Sequence, residues 1–215
     1  MVTKEGSKMP TEYKTIKEFN SDEYIVKRSR FIGYAKPVTT VEEANAFIAE
    51  IKSKHWDATH NVYAYILREG GVKRYSDDGE PQGTAGVPVL DVLEKEGLVD
   101  VCVVVTRYFG GILLGGGGLV RAYSHSAKIG VDSAGIITMA HCLDLEVQCD
   151  YTFYGKLNSF LANEETVILD TQFTDNVSVT FRIKSENKSN IEAKIIDISN
   201  GKVNCVVVSE NFCEF

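Results

Sequence analysis

Residues 107–123 read RYFGGILLGGGGLVRAY, and six of the nine residues from Gly110 to Gly118 are glycine. The run follows VDVCVVVTRYF (99–109), whose unbroken valines predict a strand buried on both faces. It precedes LVRAYSHSAKIGVDSAG (119–135). There Leu119, Ala122, Tyr123, Ser126 and Gly130 share one side at about 100° per residue, which predicts a long amphipathic helix. A glycine-rich join between a strand end and a helix start has two readings. Bare N–H groups in the field of a helix N-terminus hold anions. Equally, the absence of Cβ lets two backbones approach closely or adopt positive φ. The nucleotide fingerprints do not decide between them. Gly115, Gly117 and Val120 break the GxGxxG spacing, and no Lys-Ser/Thr follows Gly116-Gly117.

Outward from this join the first half reads as a strand-rich α+β domain. EYKTI, YIVKRS and RFIGYAKPV have the alternation of strands. Thr40 and Glu43 form a capping-box pattern ahead of Val41, Ala44, Phe47, Ile48 and Ile51, an amphipathic helix. HNVYAYILRE (60–69) reads as a strand that His60 enters. A long polar loop, GGVKRYSDDGEPQGTAG, then leads to Pro88 at a first helical position, with Gly97 as the stop. The second half has the order βαββαβ: strand 143–149, helix 154–163, strands TVILDTQF and VSVTFRIK around Thr174-Asp175-Asn176, helix KSNIEAKIIDIS before Gly201, and strand NCVVVSEN. That is the ferredoxin-like pattern. The expected fold class is therefore α+β in two domains, residues 1–138 and 139–215.

The chain has 215 residues, 44% of them hydrophobic, and no stretch approaches the length of a membrane span. Its basic opening lacks the apolar region of a secretory signal. Five cysteines, an odd number without a CxxC pair, read as reduced thiols. These features place the protein in the cytoplasm, away from membranes. A net charge of −7 argues against coating nucleic acid by bulk electrostatics. The charge is nevertheless uneven. Residues 101–131 hold Arg107, Arg121 and Lys128 and no carboxylate, whereas residues 141–215 carry 12 acidic and 6 basic side chains. The acidic second domain is thus a candidate surface for a basic protein partner.

Arg121, His125 and Lys128 fall on the side of the helix opposite its apolar stripe. They read either as a solvated face or as a basic stripe facing a polyanion. Arg121 is placed within the first helical turn, where N–H groups are unpaired and a cation is locally unfavourable. Asp77, Asp78 and Glu80 in SDDGEP read either as a turn set by Gly79 and Pro81 or as carboxylates around Mg²⁺. No cofactor is expected, Mg²⁺ at this loop being the one candidate. The SDDGEP loop is expected to meet the RYFGG segment across one cleft, with Arg74 and Arg107 balancing its charge. His55 and His60 are not spaced as a zinc pair, and Ser124 beside His125 points away from it, so no hydrolase is read there.

SRFIGYA (29–35), DATHNVYAY (57–65), YSDDGEPQGTAGVPVL (75–90) and VVVTRYFGGILLGGGGLVRAY (103–123) together resemble the YigZ/IMPACT family. The resemblance covers about 100 residues of the first domain in order. Members usually carry a non-glycine residue within the second glycine cluster, where this chain has Gly115 to Gly118. The resemblance implies an N-terminal domain like domain IV of elongation factor G and a C-terminal domain like its domain V. It implies RNA or ribosome binding with influence on translation, and no established reaction. Eukaryotic members regulate the amino-acid-starvation kinase by competing for its activator, and they carry an additional N-terminal interaction domain that these 215 residues do not include.

The leading expectation is a cytosolic RNA- or ribosome-associated regulator in translation or stress response, with no DNA specificity evident. Its anion-binding residues would be Arg74, Arg107, Gly110, Gly111, Gly117, Gly118, Arg121, His125 and Lys128. The alternatives are a Mg²⁺-dependent enzyme on a phosphorylated small molecule or nucleotide, and a protein-interaction module.

Overall fold

The structure, a computed structural model, describes residues 11–215; the basic opening of the chain lies outside the described residues. The chain divides into two compact units, one of Tyr13–Thr138 and one of Thr11, Glu12 and Met139–Phe215.

The first unit is a five-stranded antiparallel sheet with helices on both faces. Its order is β2 (Asn20–Val26), β3 (Ser29–Pro37), β6 (Val101–Tyr108), β4 (His60–Ile66) and β5 (Lys73–Ser76). Central β6 is covered on both sides, as its valine run requires. Val101, Val103 and Val105 pack beneath α2 (Gly86–Glu96) and α3 (Gly116–Ala134) with Phe31, Val62 and Leu93. Cys102 and Val104 pack beneath α1 (Val41–Lys54) with Phe47, Ile48 and Ile51. Thr40 caps α1 by accepting from the Glu43 N–H at 3.1 Å. The Glu43 carboxylate accepts from the Thr39 N–H rather than from that of Thr40, a capping box displaced by one residue. On this face His55 sits between two phenols, its Nε2 2.6 Å from the Tyr34 hydroxyl and its Nδ1 2.8 Å from that of Tyr108. Burial there pushes the imidazole pKa down.

Three local expectations need correction. YIVKRS is not one strand: it breaks at Lys27 and Arg28, with φ of 44° and 65°, into a two-residue hairpin turn between β2 and β3. Two positive φ values suit the twist of such a turn, which Asn-Gly usually supplies. Lys-Arg gives no such signal. The polar stretch after β4 contains edge strand β5, too short and too exposed to show alternation. Pro88 lies two residues inside α2, because Asp77 caps that helix from a distance, accepting from the N–H groups of Ala85 at 3.1 Å and Gly86 at 2.8 Å. Gly97 does end α2, at φ 69°.

In the second unit β7 (Ile136–Cys149), α4 (Tyr151–Asn163), β8 (Val167–Phe173), β9 (Val177–Lys184), α5 (Lys188–Ile198) and β10 (Cys205–Glu214) follow in the expected βαββαβ order. The sheet runs β10-β7-β9-β8, entirely antiparallel; β1 (Glu12–Ile16) precedes β2 in the chain. Leu145, Val147, Val179, Phe181, Leu157, Leu161, Ile191 and Ile195 form its core. Asp150 caps α4 by accepting from the Phe153 N–H at 2.7 Å. All five cysteines are free thiols.

Candidate nucleic-acid interface

The glycines around α3 divide by their surroundings. A Cβ on Gly110 would run into the Arg28 carbonyl and the Ser29 backbone, so this glycine lets the loop lie directly on the β2–β3 turn. The Gly110 N–H also donates to Ser29 Oγ at 3.1 Å. Gly111 and Gly115 take φ of 81° and 72°, which other residues adopt only under strain. Gly116 and Gly117 differ from these. They are helical, and an added Cβ would find nothing closer than 3.9 and 3.8 Å respectively. No side chain caps this helix start. Packing and backbone strain thus account for Gly110, Gly111 and Gly115, and leave Gly116 and Gly117 with bare, uncapped N–H groups.

Arg121 lies in the second turn, not the first, because the helix begins at Gly116. Its guanidinium still reaches the helix start, with Nη1 3.8 Å from where a Gly117 Cβ would be. Helical side chains lean toward the N-terminus, which explains the reach. Lys27, Gly118 and Arg121 line one hollow of about 160 Å³ together with Leu114. Arg28 stands beside it at the hairpin tip against Gly110. Among the described residues Lys27, Arg28 and Arg121 form no salt bridge, and all three are exposed. Lys27 and Arg28 were not singled out in the sequence. The one available signal was two adjacent basic residues between strand-like runs, which is common on any surface.

The SDDGEP loop and the RYFGG segment do meet, through residues with separate tasks. Glu80 is buried and ion-paired with Arg107, which is only 5% exposed. The Tyr123 hydroxyl donates to Glu80 Oε1 at 2.8 Å, and burial with the adjacent carboxylate pushes that phenol's pKa far up, keeping it a donor. His60 Nε2 lies 3.8 Å from the same oxygen. Arg107 is therefore a buried partner of Glu80 and not an open phosphate ligand. Asp77 is occupied by the start of α2. Asp78 accepts from Lys52 Nζ and from the Asn61 N–H, both at 2.6 Å. The three carboxylates thus serve three different partners, and among the described residues no group of acidic, histidine or cysteine side chains is arranged to hold a metal.

The remaining expected residues scatter. Arg74 pairs across the ladder with Tyr65, on the α1 face, whereas Arg107 continues the Val101–Val105 side of β6. Alternation of side chains along strands therefore keeps Arg74 out of the cleft. Within the predicted stripe His125 packs edge-on against Tyr24 at 4.4 Å, and Lys128 is bridged to Glu96 and Asp132. Only Arg121 of the three remains unpaired. Gly118 and Gly117 lie in the first turn of α3.

Beside the cationic hollow is a cleft of about 410 Å³ between the Thr59–His60 and Glu80–Pro81 segments and the β6–α3 loop. Phe109 and Leu113 stand at its wall 44% and 81% exposed. A larger hollow of about 530 Å³ in the second unit includes the start of α4, where Asp150 already accepts from the Phe153 N–H. Lys156 on its wall donates to the Ile198 carbonyl at 2.8 Å. Lys202 also lines that hollow, which has no glycine-rich helix start.

Fold and site together define a two-domain α+β protein whose first domain presents a glycine-rich, cation-flanked helix start. Residues 27–131 match the Impact N-terminal domain, and residues 147–202 match the Domain of unknown function (DUF1949). The IMPACT family member YvyE of Bacillus subtilis (strain 168) is 39% identical over 191 residues, covering 88% of each chain. The IMPACT family member YigZ of Escherichia coli (strain K12) is 30% identical over 188 residues, 86% of this chain and 92% of that one. Protein IMPACT of Rattus norvegicus is 34% identical over 93 residues, 41% of this chain and 29% of that one. A solved structure described as "Crystal structure of an hypothetical protein" superposes with a TM-score of 0.59 at 28% identity, covering 94% of this chain and all of that one. The chain belongs to the IMPACT family, in the two-domain form of its bacterial members. No helix among the described residues is long and apolar enough to cross a membrane.

Proposed function

We propose that the protein is a cytosolic, RNA- or ribosome-associated regulator that grips phosphate groups at the start of α3. One observation carries this reading: Lys27 and Arg121, exposed cations without acidic partners among the described residues, line one hollow at an uncapped helix start, with exposed Arg28 next to Lys27 at the hairpin tip. A cation beside the positive end of a helix dipole is unfavourable by about 0.3–1 kcal/mol at an exposed site. An external anion relieves that repulsion and meets the free N–H groups. The overall charge of −7 opposes bulk attraction, so binding of a polyanion depends on this local patch. Likeness to a translation-factor domain agrees with the reading by fold analogy alone.

Co-sedimentation with ribosomes across a salt series tests it. Three phosphate contacts predict that association falls roughly 20- to 40-fold between about 50 and 200 mM salt. The triple variant Lys27→Glu, Arg28→Glu, Arg121→Glu abolishes that dependence. Absence of association at low salt, or association indifferent to both salt and the triple variant, refutes the proposal.

A further inference from the structure

We infer that the cleft beside the cationic patch takes an amino-bearing nucleobase, adenine or cytosine, whose phosphate lies at the start of α3. This rests on the reading of that helix start as a phosphate site. The cleft, about 410 Å³, is within the range of small-molecule sites, roughly 300–1,000 Å³. Pro81, Phe109, Leu113 and Leu114 give it apolar walls suited to a flat ring, and Gly115 and Gly116 put the helix start at its rim.

The base of the cleft specifies the edge of that ring. His60 Nδ1 lies 2.8 Å from the Asp78 carbonyl. A carbonyl only accepts, so the neutral ring carries its proton on Nδ1 and presents Nε2 as a bare acceptor. Glu80 Oε1, 3.8 Å away, already accepts from Arg107 and Tyr123, which leaves Nε2 as the acceptor at this end of the cleft. A lone acceptor fits an N–H of an exocyclic amine and repels an oxo group. Arg107, 5% exposed and lining the same cleft, has an Nε–H with no partner. An unmatched buried donor is costly, by about 1–3 kcal/mol, and seeks an acceptor. One N–H₂ beside one ring acceptor is the N–C–NH₂ edge that adenine and cytosine share. Uracil and hypoxanthine place an oxo group where the amine would be.

The test is a calorimetric titration of the full chain with AMP against IMP, and CMP against UMP, since each pair differs by amine against oxo. AMP and CMP are expected to bind at least tenfold tighter than their oxo partners. Gly116→Pro removes one rim N–H at a position where proline suits a helix start. It is expected to weaken AMP at least fivefold with an unchanged melting temperature. Leu113→Asp, on an exposed wall, is expected to weaken it at least tenfold. The hexanucleotides A₆ and U₆ distinguish the source: A₆ binding more than a hundredfold tighter than AMP assigns the site to RNA, and comparable binding assigns it to free nucleotides. Both results keep the inferred edge. Equal affinity for AMP and IMP, with Gly116→Pro still weakening both, overturns the base inference while the phosphate reading stands. A preference for AMP that ignores Gly116→Pro overturns the placement of the phosphate at α3. No binding of any nucleotide or oligonucleotide overturns both.

Discussion

Helix α3 uses glycine differently at its two ends. Toward its C-terminus, Gly130 lies against Gly33 of β3, where an added Cβ would come 2.7 Å from the Gly33 carbonyl oxygen. A Cβ on Gly33 would in turn run into the Ser126 carbonyl. This pair exists so that helix and sheet backbones touch. At the N-terminus Gly116 and Gly117 would meet nothing closer than ordinary van der Waals contact, and they have helical geometry and no side-chain cap. The same residue type is a packing device at one end and a way of leaving N–H groups uncovered at the other. Between the ends Tyr123 ties the helix to the buried Glu80–Arg107 pair. The clamp, the tie and the open start make separate, graded claims about substitution.

The largest effect is expected at the clamp. Gly33→Ala forces α3 off β3, because the obstructing atoms are backbone and cannot rotate away. A loss of about 3 kcal/mol or more, at the upper end for overpacking, is expected in chemical denaturation. A variant that melts like the parent would show that the close approach is incidental. Next comes the tie: Tyr123→Phe removes a hydrogen bond to a buried carboxylate and should cost about 1.5–3 kcal/mol. If it costs nothing, Glu80 draws its stability from Arg107 alone. At the open start the sign reverses. Gly117→Ala restricts the unfolded chain and brings its Cβ only to ordinary contact with Arg121 Nη1, and a gain of about 0.4–1 kcal/mol is expected. Destabilisation there would erase the contrast between the two ends. Smallest is Arg121→Ala, which should change stability by less than about 0.5 kcal/mol, as at other exposed sites. It should nonetheless lower the salt slope of RNA binding by about 1. Loss of stability with an unchanged slope would make Arg121 a structural residue.

Much of the fold was legible in short stretches. The valines of 101–105, the Thr40 cap, the Gly97 stop and the βαββαβ order of the second unit all follow from periodicity and caps, which depend on neighbours within a few residues. The apolar side of α3, with Leu119, Ala122, Tyr123, Ser126 and Gly130, was readable for the same reason. The Lys27–Arg28 turn was not, because its positive φ values fall on residues that seldom adopt them.

The composition of the site depended on partners distant in the chain. Arg107 read as an open cation, yet Glu80, 27 residues earlier, buries its charge. Lys128 is spent on Glu96, 32 positions away, as well as on its own helix. Arg28 reaches the glycine segment only because the hairpin tip lies on Gly110, 81 positions after Ser29. Sequence by itself determined the elements and the family motifs. Only the tertiary structure decided which of its cations stay unpaired, since charge is neutralised by proximity in space and register alone sets who stands opposite whom.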